Sequence, residues 1–257
     1  MSRYYIVSTV FLVLFLGSLS LDGSFDISWY WYAGLVIIYL VINVYGAFVV
    51  SAQYFVPIKY RGDGKSQSIA ITFDDGPIPG NTEKILDILQ QHNVLGTFFC
   101  IGNRVQKNIA LTRRIYTEGH LICNHSYWHG AMFDLQSAGG MTRELMDTDR
   151  AINESIGRIP KFFRPPYGVT NPMLAKAVSR RNYTVIGWSV RSFDTVIKNK
   201  VKLFNRVTRS LKAGDIVLFH DYSDTTLSIL SDFLAHVSKR GLKIVRVDEL
   251  LKEKAYA

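Results

Sequence analysis

The chain has 257 residues, 48% of them hydrophobic and 20% charged, with a formal net charge of +9. That admits one good-sized core and leaves material for something more. Residues 1–58 carry Arg3 against Asp22 and Asp26, a net −1, so residues 59–257 carry +10. No nucleic-acid motif accompanies this charge, which reads as a solvated basic surface beside a membrane.

In chain order, the first signal is apolar. From Tyr4 to Leu21 only Tyr4 and Tyr5 are ionisable, and from Ile27 to Ile58 there is no Asp, Glu, Lys, Arg or His. Each run is long enough to cross a hydrocarbon core of about 30 Å as a helix. Trp29 to Tyr32 at one end of the second run, and Tyr54 and Phe55 near the other, resemble interfacial belts. Asn43 is the one strongly polar residue deep inside it. No small-x-small cleavage site follows the first run. A two-helix transmembrane hairpin, with spans at about 4–21 and 28–50, therefore fits better than a signal peptide followed by a core helix. The organisation expected is a hairpin over 1–58, a linker over 59–67 and a globular domain over 68–257. A hairpin puts Met1 and that domain on one side of the bilayer. The acidic loop "DGSFD" (22–26) against Arg3 and "KYRGDGK" (59–65) places the domain in the cytoplasm by the positive-inside rule. Arg3 is the only strong charge before the first span, so the opposite topology stays open.

Beyond Ser68, short β-like runs alternate with helical ones. Strands are expected at 68–73, 97–101, 120–123, 161–164, 184–188, 215–219 and 243–246. Helices are expected at 81–92, 103–118, 140–156, 171–181, 199–212, 225–240 and 248–254. Asn81-Thr82-Glu83 and Asn171-Pro172 look like helix starts. This alternation indicates an α/β fold with a parallel sheet. Seven units in this length fit a distorted or incomplete (β/α)7 barrel related to the (β/α)8 kind. Cys100 and Cys123 sit in apolar strand-like runs, without metal-pair spacing, and read as buried thiols.

In such a barrel, chemistry sits at the C-terminal strand ends. The adjacent carboxylates Asp74 and Asp75 follow the first strand, His125 and His129 the third, and "RPPYG" (164–168) the fourth. Trp188 and Asp194 follow the fifth, and "LFH" ends the sixth at His220. On a helix or tight turn, imidazoles four apart aim at one point. With one carboxylate they make a two-His, one-carboxylate set with open positions for water and substrate. Two neighbouring carboxylates repel and need partners. One can be a metal ligand and the other a base toward water at the metal, oriented by Arg164.

"TFDDGP" (72–77), "HSYWH" (125–129), "RPPYG" (164–168) and "LFH" (218–220) occur in the order found in polysaccharide deacetylases. The chain resembles that family, the NodB homology domain or carbohydrate esterase family 4, over roughly residues 66–250. The hairpin lies outside the resemblance. The resemblance implies that Asp75, His125 and His129 bind a divalent metal, most often zinc, with cobalt, manganese or nickel as substitutes. It makes Asp74 the general base, held by Arg164, and His220 the general acid toward the leaving amine. A backbone N–H near Tyr167 would face the oxyanion, and Leu218 would line the acetyl pocket. Where the family often reads Trp-x-Val-Asp-x-x-Asp-Trp, this chain has Trp188-Ser189-Val190-Arg191-Ser192-Phe193-Asp194-Thr195. Asp194 is kept, and is expected to orient His220. Arg191 replaces an acid and Thr195 an indole, which alters the pocket wall beside Trp188. The activity implied is metal-dependent hydrolysis of the N-acetyl group of an amino sugar of the N-acetylglucosamine type. A lipid-linked sugar bearing acetyl or formyl is the alternative substrate, and a non-catalytic, membrane-anchored carbohydrate-binding protein is the alternative of another class. The absence of HExxH argues against a metalloprotease.

Overall fold

The computed structural model describes residues 2–257. Its elements in chain order are α1 (Arg3–Phe25), α2 (Trp29–Phe48), β1 (Ile58–Lys59), β2 (Ser68–Asp74), α3 (Asn81–Gln91), β3 (Thr97–Cys100), α4 (Gly102–Lys107), α5 (Ile109–Thr117) and β4 (Leu121–Asn124). After these come α6 (Ala138–Ile156), β5 (Phe162–Phe163), α7 (Pro172–Arg180), β6 (Thr184–Ile186), β7 (Val190–Arg191), α8 (Lys200–Thr208), β8 (Ile216–His220), α9 (Asp224–Lys239), β9 (Lys243–Val245) and α10 (Val247–Leu251).

All strand pairs are parallel, in the order β1-β6-β5-β4-β3-β2-β8-β7, with β9 beside the start of β2. The run 184–191 reaches both sides of this sheet: β6 lies between β1 and β5 near one end, and after three residues β7 pairs with β8 at the other. The result is the distorted (β/α)7 barrel that the alternation implies, with a seam where one stretch of chain changes partner. β2 is buried along its whole length, as a strand covered on both faces must be. Phe73, Phe98, Phe219 and Phe233 pack under it. The seven expected strands are present. Val190–Arg191 and Ile58–Lys59 are additions, each two residues long. The single helix expected over 103–118 is two, because Asn108 leaves helical geometry (φ −130°, ψ 51°). The helix expected over 199–212 stops at Thr208, and Asp215 then accepts from the Lys212 N–H in the turn into β8.

α1 and α2 are each long and apolar enough to cross a membrane, with lengths near 34 and 30 Å at about 1.5 Å per residue. α1 buries no residue, and Leu12, Val13, Ile37 and Ile38 face outward. The two helices meet through stacked Phe11 and Tyr39, 4.4 Å between ring centroids, and a Ser8–Tyr39 hydroxyl contact of 2.9 Å. Their base is seated on the barrel. Val50, Tyr54, Phe55, Val56 and Ile58 join a core with Phe163, Leu174 and Val185, and the Thr170 N–H donates to the Ala47 carbonyl at 3.0 Å. A Cβ on Gly187 would lie 2.3 Å from Val50 and 2.8 Å from Ile58. The hairpin base therefore stands beside the strand ends of β5 and β6.

Candidate active site

The adjacent carboxylates are turned to different partners. β2 ends at Asp74, and Asp75 takes a left-handed conformation (φ 76°), its N–H donating to the Phe99 carbonyl. Asp74 Oδ1 accepts from Arg164 Nη1 at 2.6 Å. Asp75 Oδ1 lies 3.4 Å from Nε2 of both His125 and His129. Burial works against the Asp75 charge, but His125, His129 and His220 outweigh it and hold the carboxyl well below the usual carboxylate range.

His125 and His129 lie on a tight turn after β4, one of the two settings the spacing allows. Ser126 and His129 both have positive φ, 62° and 52°. His125 Nδ1 contacts the Arg164 carbonyl at 2.8 Å. Donating a proton there leaves the Nε2 lone pair aimed at Asp75. Burial, then the neighbouring His125, pushes His129 down to about 4, so it is neutral at neutral pH.

Arg164, on the loop after β5, is completely buried. It crosses the barrel interior. Nη1 reaches Asp74 and Thr72 on β2, and Nη2 donates to the Gly187 carbonyl at 2.8 Å. Its guanidinium lies 4.0 Å over the Phe99 ring. Burial opposes its charge and Asp74 supports it.

His220, at the end of β8, is held by Asp194. Nδ1 lies 2.8 Å from Asp194 Oδ1, and the His220 N–H donates to Oδ2 at 2.8 Å. Burial lowers the imidazole pKa, but Asp194 more than offsets it and the net direction is upward. One cleft of about 570 Å³ is lined by Asp74, Asp75, His125, His129, His220 and Leu218, with Tyr167 and Trp188 on its wall. Arg164 and Asp194 stand behind it. Tyr167 has φ 56°, and its ring lies tilted against that of His129, 4.7 Å between centroids. Among the described residues, Asp75, Ser126, His129, Tyr167 and Phe193 make half of the ten non-glycine residues with positive φ, a concentration of backbone strain typical of functional loops.

The family model described as "Polysaccharide deacetylase" matches residues 61–186. The chain is 35% identical over 189 residues to a Listeria monocytogenes peptidoglycan-N-acetylglucosamine deacetylase, covering 74% of this chain and 40% of that protein. It is 35% identical over 202 residues to a Bacillus cereus peptidoglycan-N-acetylglucosamine deacetylase, covering 77% of this chain and 94% of the relative. The chain belongs to the polysaccharide deacetylase family. A crystal structure of a peptidoglycan N-acetylglucosamine deacetylase superposes with a TM-score of 0.72 at 28% identity, covering 77% of this chain and 94% of that one. The chain thus spans less than half of the Listeria relative and nearly all of the Bacillus one.

In this member of the polysaccharide deacetylase family, the donor set fits a divalent metal on its own geometry. The ligand atoms of Asp75, His125 and His129 lie within 4.8 Å of one another. Asp75 Oδ1 is buried with no hydrogen-bond partner, an expensive arrangement for a carboxylate unless a cation completes it.

Several supporting residues escape sequence reasoning. Glu144, on α6, accepts the Tyr127 and Trp128 N–H groups at 3.2 and 3.1 Å and so fixes the histidine turn. Asn124 Oδ1 accepts the Ser126 N–H at 2.9 Å. Thr226 donates to Asp194 Oδ2. Asp221 is fully buried against Thr82, a Cβ on Gly76 would lie 1.9 Å from it, and burial pushes its carboxyl up to about 7. "HD" at 220–221 and "CNH" at 123–125 put two of these beside motif residues. Nothing marks Glu144 or Thr226 among the polar residues of their helices.

Proposed function

We propose that the protein is a metal-dependent deacetylase of an N-acetylated amino-sugar glycan, yielding acetate and a free amine. The observation that carries this is the buried, unpartnered Asp75 Oδ1 between two imidazole Nε2 atoms, in the same cleft as the His220–Asp194 pair. Asp75, His125 and His129 would hold the metal, and two imidazoles with one carboxylate suit zinc. When bound, the metal supplies Lewis acidity toward the amide carbonyl and lowers the pKa of water.

The chain's own residues supply the rest. Arg164 pins one oxygen of Asp74, so the other takes the proton from water as oxygen bonds to the carbonyl carbon. A backbone N–H near Tyr167, on the cleft wall, would donate to the oxyanion. An amine leaves only once protonated, and His220 delivers that proton to nitrogen as the C–N bond breaks. Asp194 orients His220 and raises its pKa. Leu218 and Trp188 bound the space for the acetyl methyl.

The names of the relatives favour peptidoglycan N-acetylglucosamine as the glycan. The two apolar helices support a membrane anchor over 1–58, with the globular unit over 68–257 close to the bilayer. The charges at Arg3 and 59–65 favour a cytoplasmic domain, and peptidoglycan as a finished wall would favour the other face. The decisive test is acetate release from N-acetylglucosamine oligomers by the full chain, with chelation and zinc restoration, beside Asp75→Ala. Release indifferent to chelator, or retained by Asp75→Ala, would sink the mechanism.

A further inference from the structure

The cleft does not end at the catalytic residues. Trp188 and Arg191 line it, and both also line a second groove of about 570 Å³, walled on its far side by Phe48 to Ser51 at the base of α2. Arg191 further borders a third groove, of about 510 Å³, along α8. Arg191 is a wall of all three. Their linings together reach from Asp75, His125 and His129 to the foot of the apolar hairpin.

The floor of this run is basic. Lys202, Arg206 and Arg209 are exposed and spaced at i, i+4 and i+7, so they form one stripe on α8 and its C-cap. Arg191 joins them from β7. Its guanidinium lies 4.7 Å from the centroid of the Phe193 ring, and that of Arg206 lies 4.3 Å from the same ring. Arg206 Nε donates to the Arg191 carbonyl, which anchors the side chain. Among the described residues, none of these four cations has a carboxylate within ion-pair distance. Basic residues in a last helical turn complement the helix dipole. That accounts for Arg206, but not for a second guanidinium brought to the same ring from another strand. Two cations gathered on one aromatic ring repel each other unless an anion joins them.

We propose that this groove is a phosphate subsite, and that the substrate is an amino sugar carried on a membrane lipid through a phosphate or pyrophosphate link. The sugar occupies the cleft, the phosphate meets Arg191, Arg206 and Arg209, and the lipid leaves along Phe48 to Ser51 toward the bilayer. This rests on the deacetylase reading for the sugar end and adds the link and the carrier. A phospholipid headgroup offers the same chemistry from another source.

The test uses the full chain in neutral phosphatidylcholine vesicles. Two glycolipids carry the same N-acetylglucosamine and the same prenyl chain, one through pyrophosphate and one through a neutral ether. Acetate release is expected to favour the pyrophosphate by on the order of tenfold or more in kcat/KM, the scale of charge-assisted hydrogen bonds. Arg206→Glu/Arg209→Glu should abolish that preference, and Lys239→Glu, an equal charge change per site on exposed α9 surface, should leave it. Equal turnover of the two glycolipids, or a preference that survives the double variant, overturns the proposal. So does turnover of both that rises together when anionic phosphatidylglycerol is added, which would assign the groove to headgroups. If neither glycolipid nor soluble oligomers release acetate, the deacetylase reading fails alone. Equilibrium binding of a fluorescent pyrophosphate glycolipid then decides the subsite: about tenfold weaker binding by the double variant sustains it, and equal binding overturns it.

Discussion

Replacing Arg164 with methionine should unfold the protein several degrees earlier through one uncompensated charge. Arg164 is completely buried and gives Asp74 a guanidinium contact at 2.6 Å. It also satisfies the Gly187 carbonyl at 2.8 Å and Thr72 at 2.7 Å. Breaking a buried pair by removing one partner costs about 3–5 kcal/mol, because the remaining charge is stranded. For a chain of this size each kcal/mol is worth about 2–4 °C, so the melting midpoint should fall by roughly 6–20 °C. Asp74→Asn/Arg164→Met removes both charges, and should be more stable than the sum of the single losses by about 2 kcal/mol. The assay is thermal and urea unfolding of the full chain in detergent, with chelator present so that metal binding does not add to stability. Additive single losses, with a coupling below about 0.5 kcal/mol, would refute the reasoning. Asp74 and Arg164 would then be neighbours and not a structural pair.

Asp194→Asn should move the alkaline limb of the pH–rate profile to lower pH. Asp194 raises the His220 pKa, and a general acid works below its pKa and fails as pH rises through it; a limb that stays put would remove His220 from that role. Glu144→Ala frees the Tyr127 and Trp128 N–H groups and should weaken zinc binding by about 10–100-fold in competition with a chelating dye. Unchanged affinity would mean that the turn holds itself. Gly187→Ala puts a Cβ 2.3 Å from Val50 and should cost about 1–3 kcal/mol while exposing residues 48–60 to protease. An unaltered digestion pattern would show that the hairpin base is not seated there.

The strands of the ring are legible where they lie in an apolar run between turn residues, as even the two-residue Phe162–Phe163 does. Ile58–Lys59 and Val190–Arg191 each set one buried apolar residue beside an exposed cation, and are strands only because a neighbour offers backbone partners. The break at Asn108 is likewise a local backbone choice inside an otherwise helical pattern. The candidate site residues from Asp74 to His220 are readable as short polar motifs at strand ends, and the structure brings them to one cleft or just behind it. Their supports are less so. Glu144 is one polar residue among many on α6, and its burial follows only from where that helix docks. The basic stripe on α8 looks like a solvated helix face until Phe193 gathers Arg191 beside it.

Arg164 acts as a spoke across the barrel: it leaves the loop after β5, donates to the Ile186 and Gly187 carbonyls on the seam, and holds Asp74 on β2. Shutting the barrel and orienting Asp74, the proposed base, are therefore one event. A refolding intermediate with every helix formed but the seam open would leave Asp74 unaimed. Recovery of turnover during refolding should then lag behind recovery of helical signal and coincide with seam closure, making activity a clock for the last step of assembly.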